Sequence, residues 1–140
     1  ANPCNPAMQD LVNGKVKNRE KWRPFAASIL DEHKQDFVSD PHASPYMAIS
    51  FKVLPEMEKK IPAAVHVDGT TRPQFVTKEQ NPKYWTLINE FGKLSGVYGV
   101  LNTSFNTNEE PLIEHPVQAI KAFYGSGLDY LIIGNFIVNK

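Results

Sequence analysis

The apolar run Val97-Tyr98-Gly99-Val100-Leu101 changes abruptly into the polar stretch Asn102-Thr103-Ser104-Phe105-Asn106. This junction restricts the fold more than any other feature of the chain. The run has the length and character of a buried strand. Four of the five residues that follow carry short side chains able to donate or accept hydrogen bonds. A strand that ends in this way sets donors and acceptors at the carboxyl edge of a sheet, where α/β folds bind ligands. A plain turn has the same composition, so this stretch alone leaves both readings open. A second stretch, His66-Val67-Asp68-Gly69-Thr70-Thr71-Arg72, also follows an apolar segment, Ile61 to Val65, and it ends in an arginine.

Composition narrows the classes. A chain of 140 residues is expected to form one domain. At this size it buries about two thirds of its unfolded surface, enough for a core without staples. The apolar fraction of 41% and the charged fraction of 21% are those of an ordinary globule. Fifteen basic and fifteen acidic residues cancel, which argues against a general nucleic-acid binder. Cys4 is the single cysteine, so an internal disulfide and a cysteine-cluster metal site are both excluded. A reducing, cytoplasmic setting is compatible with that. No apolar run approaches the roughly 18 residues of a membrane span, and no signal peptide is visible. The chain opens at Ala1 inside a proline-rich turn and reads as a piece of a longer protein.

The element pattern is mixed. Asn5-Pro6 opens a short helix that Gly14 is expected to end. Phe25 to Leu30 reads as a strand, Asp31 to Val38 as a helix and Ser39 to Pro45 as a loop. Tyr46 to Leu54 is expected as a strand, Glu56 to Lys60 as a charged turn, Ile61 to Val67 as a strand and Arg72 to Thr77 as another. Asn81-Pro82 caps the longest helix, Lys83 to Ser95, whose Trp85, Leu87, Ile88, Phe91 and Leu94 follow a helical period. Val97 to Leu101 is a strand. Pro116 starts a helix to about Tyr124, stopped by Gly125-Ser126-Gly127. Two short strands, Tyr130 to Ile133 and Asn135 to Val138, flank Gly134. The sum is α/β or α+β, with a mixed sheet.

Three groups of residues suit chemistry. Lys15, Lys17, Arg19, Lys21 and Arg23 alternate, with Glu20 the single anion among them. If the segment is extended, the five cations share one face. Such a face suits an oxygen-rich anion, since lysine offers a point charge and arginine a bidentate fork. It also suits a solvated edge strand whose lysines prevent aggregation. Arg72 is the second candidate, placed after the turn-forming Asp68-Gly69-Thr70. Ser104, with Asn102, Thr103 and Asn106, is the third. No histidine or aspartate stands by Ser104 in sequence as a base, so its expected role is donor rather than nucleophile. His66 either binds ligand or satisfies a buried contact. Asp68 either supports a magnesium ion through water or simply forms the turn. His33, His42 and His115 are scattered and show no metal-ligand spacing. Neither a Walker A sequence nor a GxGxxG is present, so a nucleotide site must be built from dispersed residues.

Taken together, Asn13 to Leu30, His66 to Gln74 and Leu101 to Pro111 resemble the C-terminal domain of the nodulation-protein O-carbamoyltransferases, the NodU and TobZ group. Pro116 to Ile120 extends the likeness over nearly the whole chain. The resemblance implies a YrdC-like fold, a twisted mixed β-sheet with packed helices in a single domain over 1–140. It implies that ATP and carbamoyl phosphate are bound and converted to carbamoyl-adenylate and pyrophosphate, with magnesium assisting. A larger N-terminal domain carrying iron then passes the carbamoyl group to an acceptor hydroxyl. By this likeness Lys17, Arg23 and Arg72 are the catalytic residues, and with Thr103, Ser104 and Asn106 they line the nucleotide site. Lys15 and Arg19 match the motif without an assigned role. Three departures stand out. A glycine- and arginine-containing stretch that the family carries just upstream is absent, so the isolated piece is expected to turn over poorly. Pro73 replaces a β-branched or polar residue and puts the local strand pairing in doubt. Ala27 replaces a proline, with no expected effect. A non-catalytic nucleotide- or anion-binding module of the same fold is the alternative. An RNA-binding domain is a third possibility, which the zero net charge opposes.

Overall fold

The computed structural model describes residues 1–108 and 110–140. Glu109, inside the motif Leu101 to Pro111, lies outside the described residues. In chain order, α1 (Met8–Leu11) runs on as a π-helix (Val12–Lys17) and is followed by β1 (Ala26–Leu30). A 3₁₀ turn (Asp31–His33) leads into α2 (Lys34–Phe37), then β2 (Phe51–Lys52) and α3 (Pro55–Lys60). A second 3₁₀ turn (Pro62–Ala64), β3 (Thr70–Thr71), β4 (Gln74–Val76) and α4 (Pro82–Ser95) come next. The chain ends with β5 (Gly99–Asn102), α5 (Pro116–Gly125), β6 (Tyr130–Ile133) and β7 (Phe136–Asn139). The expected α/β mixture is present, with its strands divided among three small sheets. The chain forms two compact units: Ala1–Met8 with Pro24–Thr103, and Gln9–Arg23 with Ser104–Lys140.

The first unit is built on β1. This strand lies between β4, to which it is parallel, and β5, to which it is antiparallel. All five of its residues are buried, so both sheet faces are covered. Successive side chains alternate between faces. Ala27 and Ile29 enter a core with Phe37, Phe51, Met57 and Phe75. Leu30 packs with Val76, Val100 and Ile88 of α4. Ser28 shares Leu30's face and is fully buried, and it is satisfied within the sheet. Its hydroxyl donates to Gln74 at 2.8 Å and accepts from Asn102 at 2.9 Å. Asn102 is therefore held as part of the sheet's own polar seam.

Helix α4 begins where the sequence predicts. The Asn81 side chain accepts the Tyr84 N–H at 3.1 Å, Pro82 occupies the first turn, and Gly96 ends the helix at φ +75°. Of the expected apolar face, Ile88 is buried and Trp85 and Phe91 are half-buried, whereas Leu87 and Leu94 are exposed. Gly92 marks a close approach that the periodicity does not reveal. A Cβ there would lie 2.2 Å from Cδ1 and 2.5 Å from Cε1 of Tyr98. That ring is stacked on His33 with centroids 4.0 Å apart, which limits its escape. Gly92→Ala is therefore expected to lower the thermal midpoint. Overpacking costs about 1–3 kcal/mol, against a gain of about 1 kcal/mol in helix propensity. A raised midpoint would show that the ring yields without cost.

Three segments differ from expectation. Only Phe51–Lys52 pairs within Tyr46 to Leu54, with Val53 bridging Val38, because Met47 at φ 57° breaks the extended run. Glu56 to Lys60 is not a turn but part of α3. Pro55 stands at its first position, acids lie in its first turn and Lys59 and Lys60 in its last, all of which favour a helix. Ile61 to Val67 is not a strand: Pro62–Ala64 form a 3₁₀ turn, Ile61, Ala63 and Ala64 are buried while Val67 is exposed, and Pro62 has no N–H for a ladder. The strand expected over Arg72 to Thr77 is shorter: Arg72 and Pro73 lie outside it, between β3, which pairs with β2, and β4, which pairs with β1.

In the second unit, β6 and β7 form an antiparallel hairpin that pairs Ile133 with Phe136 around Gly134-Asn135. Gly134 takes φ +57° at the first turn position. Helix α5 packs Ala119 and Phe123 against Leu131, with Leu128, Ile133 and Val138 at the margin. Pro116 opens it, and the Gln118 side-chain oxygen accepts the His115 N–H at 3.0 Å. Among the described residues, no helix is long and apolar enough to cross a membrane.

Candidate functional site

The second unit gathers the basic segment and the polar loop. Gly14 does not end the first helix. The backbone widens into the π-helix, which stops at Asn18 in the left-handed region, φ 48° and ψ 53°. Asparagine tolerates that conformation. Lys15 to Arg23 is thus not one extended face. Residues two apart on a helix point in different directions, and accordingly Lys15 is exposed while Lys17 is 3% exposed. Insertions of π geometry recur at functional sites because they re-aim side chains.

Lys17 is aimed at the loop that follows β5. Its ammonium donates to Ser104 Oγ at 3.2 Å, to Asn106 O at 3.0 Å and to Asn106 Oδ1 at 2.7 Å, and it also reaches the Ser104 carbonyl. The loop closes on itself around this contact. Ser104 Oγ donates to Asn106 Oδ1 at 2.6 Å, and Asn106 Nδ2 donates to Glu110 O at 2.8 Å. Among the described residues, every hydrogen-bond partner of Lys17 is neutral. Burial followed by repulsion from Arg19 lowers its pKa to about 8. Arg19 is also shifted down, by burial and by repulsion from Arg23, with Glu20 opposing. A buried cation among neutral partners is costly, and an anion brought to this site relieves that cost.

Asn13 ties the segment together. It is fully buried, donates Nδ2 to the carbonyls of Lys21 at 3.2 Å and Arg23 at 2.9 Å, and accepts Arg19 Nε at 2.7 Å. Arg23 is half-buried, and its Nε pairs with Glu20 at 2.9 Å. Both side chains of this pair are partly exposed, and such pairs contribute little.

Arg72 and Thr103 belong to the first unit. Thr103 is half-buried just after β5. Arg72 is exposed at the corner between β3 and β4. The loop before it is tightly made. Asp68 Oδ1 accepts Thr70 N at 3.0 Å and Thr70 Oγ1 at 2.7 Å, and Gly69 takes φ +72°. Those bonds close the turn and hold the Asp68 carboxyl below its usual range. His66 lies 3.3 Å from Thr70 Oγ1, and its pKa is lowered chiefly by burial, with Asp68 opposing and Arg72 adding. Among the described residues there is no group of three or more His, Cys, Asp or Glu able to hold a metal ion.

The structure brings Lys17, Ser104 and Asn106 into direct contact, whereas Arg72 and Thr103 belong to the first unit. Sequence reasoning passed over Asn13 and left Arg19 without a role. The available signal was an asparagine next to a glycine inside a helical segment, where both are poor residues.

The chain also resembles known proteins. The family described as Carbamoyltransferase C-terminus matches residues 1–140. The nodulation protein NolO of Bradyrhizobium diazoefficiens is 39% identical over 143 residues, covering 100% of this chain and 26% of that protein. NolNO of Sinorhizobium fredii is 38% identical over 143 residues, covering 100% and 21%. An uncharacterized protein of Methanocaldococcus jannaschii is 35% identical over 140 residues, covering 100% and 23%. The chain spans about a quarter of the length of the curated relatives it matches. With its polar loop, basic segment and full-length match, the chain belongs to the carbamoyltransferase C-terminus family.

Proposed function

We propose that this chain is the adenylating part of an O-carbamoyltransferase. It binds ATP and carbamoyl phosphate and forms carbamoyl-adenylate with release of pyrophosphate. The carbamoyl group then goes to an acceptor hydroxyl in an N-terminal domain, where the iron is held. The observation that carries this reading is the Lys17 ammonium, buried against Ser104 and Asn106 with only neutral hydrogen-bond partners among the described residues, in a chain of this family.

The chemistry explains why such a cation is needed. Adenylation brings polyanionic reactants together, and their repulsion opposes the approach. Lys17, Arg23 and Arg72 supply positive charge that offsets this repulsion and stabilises charge developing at the α-phosphate. Ser104 donates a neutral hydrogen bond to the phosphate, with Thr103 and Asn106 shaping its surroundings. Magnesium bound with the nucleotide would screen the charge of the triphosphate.

The test uses the full-length protein with ATP, magnesium and carbamoyl phosphate, and measures pyrophosphate. Release that depends on carbamoyl phosphate is expected. ATP binding without any such release would establish the non-catalytic nucleotide-binding module instead.

A further inference from the structure

We infer that the side-chain carbonyl of Asn102 binds a conjugated amino group carried by one of the substrates. The inference rests on the nucleotide reading above and adds to it an acceptor within the first unit. Asn102 ends β5 and is half-buried. Its Nδ2 donates to Ser28 Oγ at 2.9 Å and to Gln74 Oε1 at 3.2 Å, with Met47 Sδ 3.5 Å away. Among the described residues, no hydrogen bond reaches its Oδ1. Of the described buried side-chain atoms, Thr71 Oγ1 is the one that lacks a partner, so Asn102 Oδ1 is not buried and opens to solvent.

The direction of this oxygen is set by a relay. Gln74 Nε2 donates to the Pro45 carbonyl at 3.3 Å, which leaves Gln74 Oε1 facing Ser28 and Asn102. Oε1 accepts the Ser28 hydroxyl at 2.8 Å as well as Asn102 Nδ2. Turning the Asn102 amide over would set its oxygen against Gln74 Oε1, acceptor against acceptor. Turning both amides would set the Gln74 oxygen against the Pro45 carbonyl instead. The segment that holds Gln74 is itself constrained. Met47 takes φ 57°, which few residues other than glycine adopt and which persists only where the surroundings enforce it.

The position suits a substrate. β4 runs parallel to β1 and β5 antiparallel, so Asn102 stands at the end of the sheet where β1 begins. Arg72, two residues before the start of β4, stands at that same end. ATP and carbamoyl phosphate each join phosphate, which suits the arginine, to a conjugated amino group. Such an amino group only donates and an amide oxygen only accepts, so the two match. Ionised phosphate oxygens only accept and find no partner in Oδ1. A hydroxyl turns to donate or to accept, and it gains less from a fixed acceptor.

Calorimetry on the full-length protein tests two pairs of ligands. ATP is compared with inosine triphosphate, in which a carbonyl replaces the amine. Carbamoyl phosphate is compared with acetyl phosphate, in which a methyl replaces it. In one pair the wild type is expected to bind the amine-bearing member about five- to tenfold more tightly, the contribution of one hydrogen bond. That pair identifies the substrate. Asn102→Ala is expected to lose the preference by weakening the amine-bearing member alone. ATP binding with no preference in either pair would overturn the inference and leave the nucleotide reading standing. A preference that survives in Asn102→Ala, with both members weakened equally, would assign Asn102 to the sheet alone. Failure of the wild type to bind ATP or carbamoyl phosphate would overturn the nucleotide reading and this inference together. Should Asn102→Ala not accumulate as folded protein, Asn102→Ser carries the same comparison. Its hydroxyl sits one bond nearer the backbone and does not replace Oδ1, so the same loss of preference is expected.

Discussion

Replacing Lys17 by methionine is expected to lower kcat/KM for ATP in the full-length protein by about 10²–10³-fold, the loss seen when one preorganised donor to developing charge is removed. Methionine has similar length and no charge, so the π-helix keeps its packing while Ser104 and Asn106 lose their cation. The measurement is steady-state pyrophosphate release, with a thermal melt to show that the fold survives. A variant that melts like the wild type and keeps its activity would remove Lys17 from the chemistry. The pH profile gives an independent check. The lysine pKa falls from 10.5 to about 8, so the unfolded chain holds this proton more tightly than the folded one. Between those values the unfolded state binds more protons, and the contribution of Lys17 to stability therefore rises with pH across that window. Anion affinity moves in the opposite direction. It is full while the ammonium is charged and declines as pH rises through the lysine's pKa, with a bound anion shifting the midpoint upward. Lys17→Met is expected to abolish both trends.

The parts of the fold that were legible in the sequence are those with local causes. Helix α4 has its asparagine cap, its proline and its terminal glycine. Helix α5 and the β6–β7 hairpin have Pro116 and Gly134. Each signal acts within a few residues, and the elements fall close to where those residues predict. The π-helix was not legible, because its cause is tertiary. It forms where Asn13 reaches across to Arg19, Lys21 and Arg23, and alternating cations in a bare sequence read equally well as an extended strand. The apolar character of Ile61 to Ala64 was legible, but its 3₁₀ geometry was not, because burial constrains which residues are apolar more than it constrains the backbone. The motifs pointed to Lys17, Ser104 and Asn106 through separate stretches of chain. Only the coordinates show that the three meet, and that the described hydrogen-bond partners of the lysine are all neutral, which is what supports the proposed anion site.

Arg72→Ala is expected to weaken ATP binding to the full-length protein by about 1.5–3 kcal/mol, the contribution of a hydrogen bond to a charged group. The residue's surroundings explain why so exposed a side chain merits a value of that size. Asp68, Gly69 and Thr70 form a closed turn, with Gly69 N–H bonded to the His66 carbonyl at 2.9 Å and His66 N–H to the Thr70 carbonyl at 2.7 Å. Pro73 follows, buried, and its carbonyl accepts the Ser44 hydroxyl at 2.9 Å. The backbone on both sides of Arg72 is therefore fixed, and proline holds Arg72 extended. Little further backbone ordering is needed when the guanidinium meets a phosphate, so more of the gross interaction appears as affinity. Isothermal calorimetry with ATP gives the measurement. Arg72→Lys provides the control, since it keeps the charge and loses the bidentate fork, and it is expected to bind with intermediate strength. Equal affinities for wild type and Arg72→Ala would show that this well-built corner serves the fold and not the nucleotide. A loss confined to Arg72→Ala, with Arg72→Lys unaffected, would show that charge rather than geometry is what the corner presents.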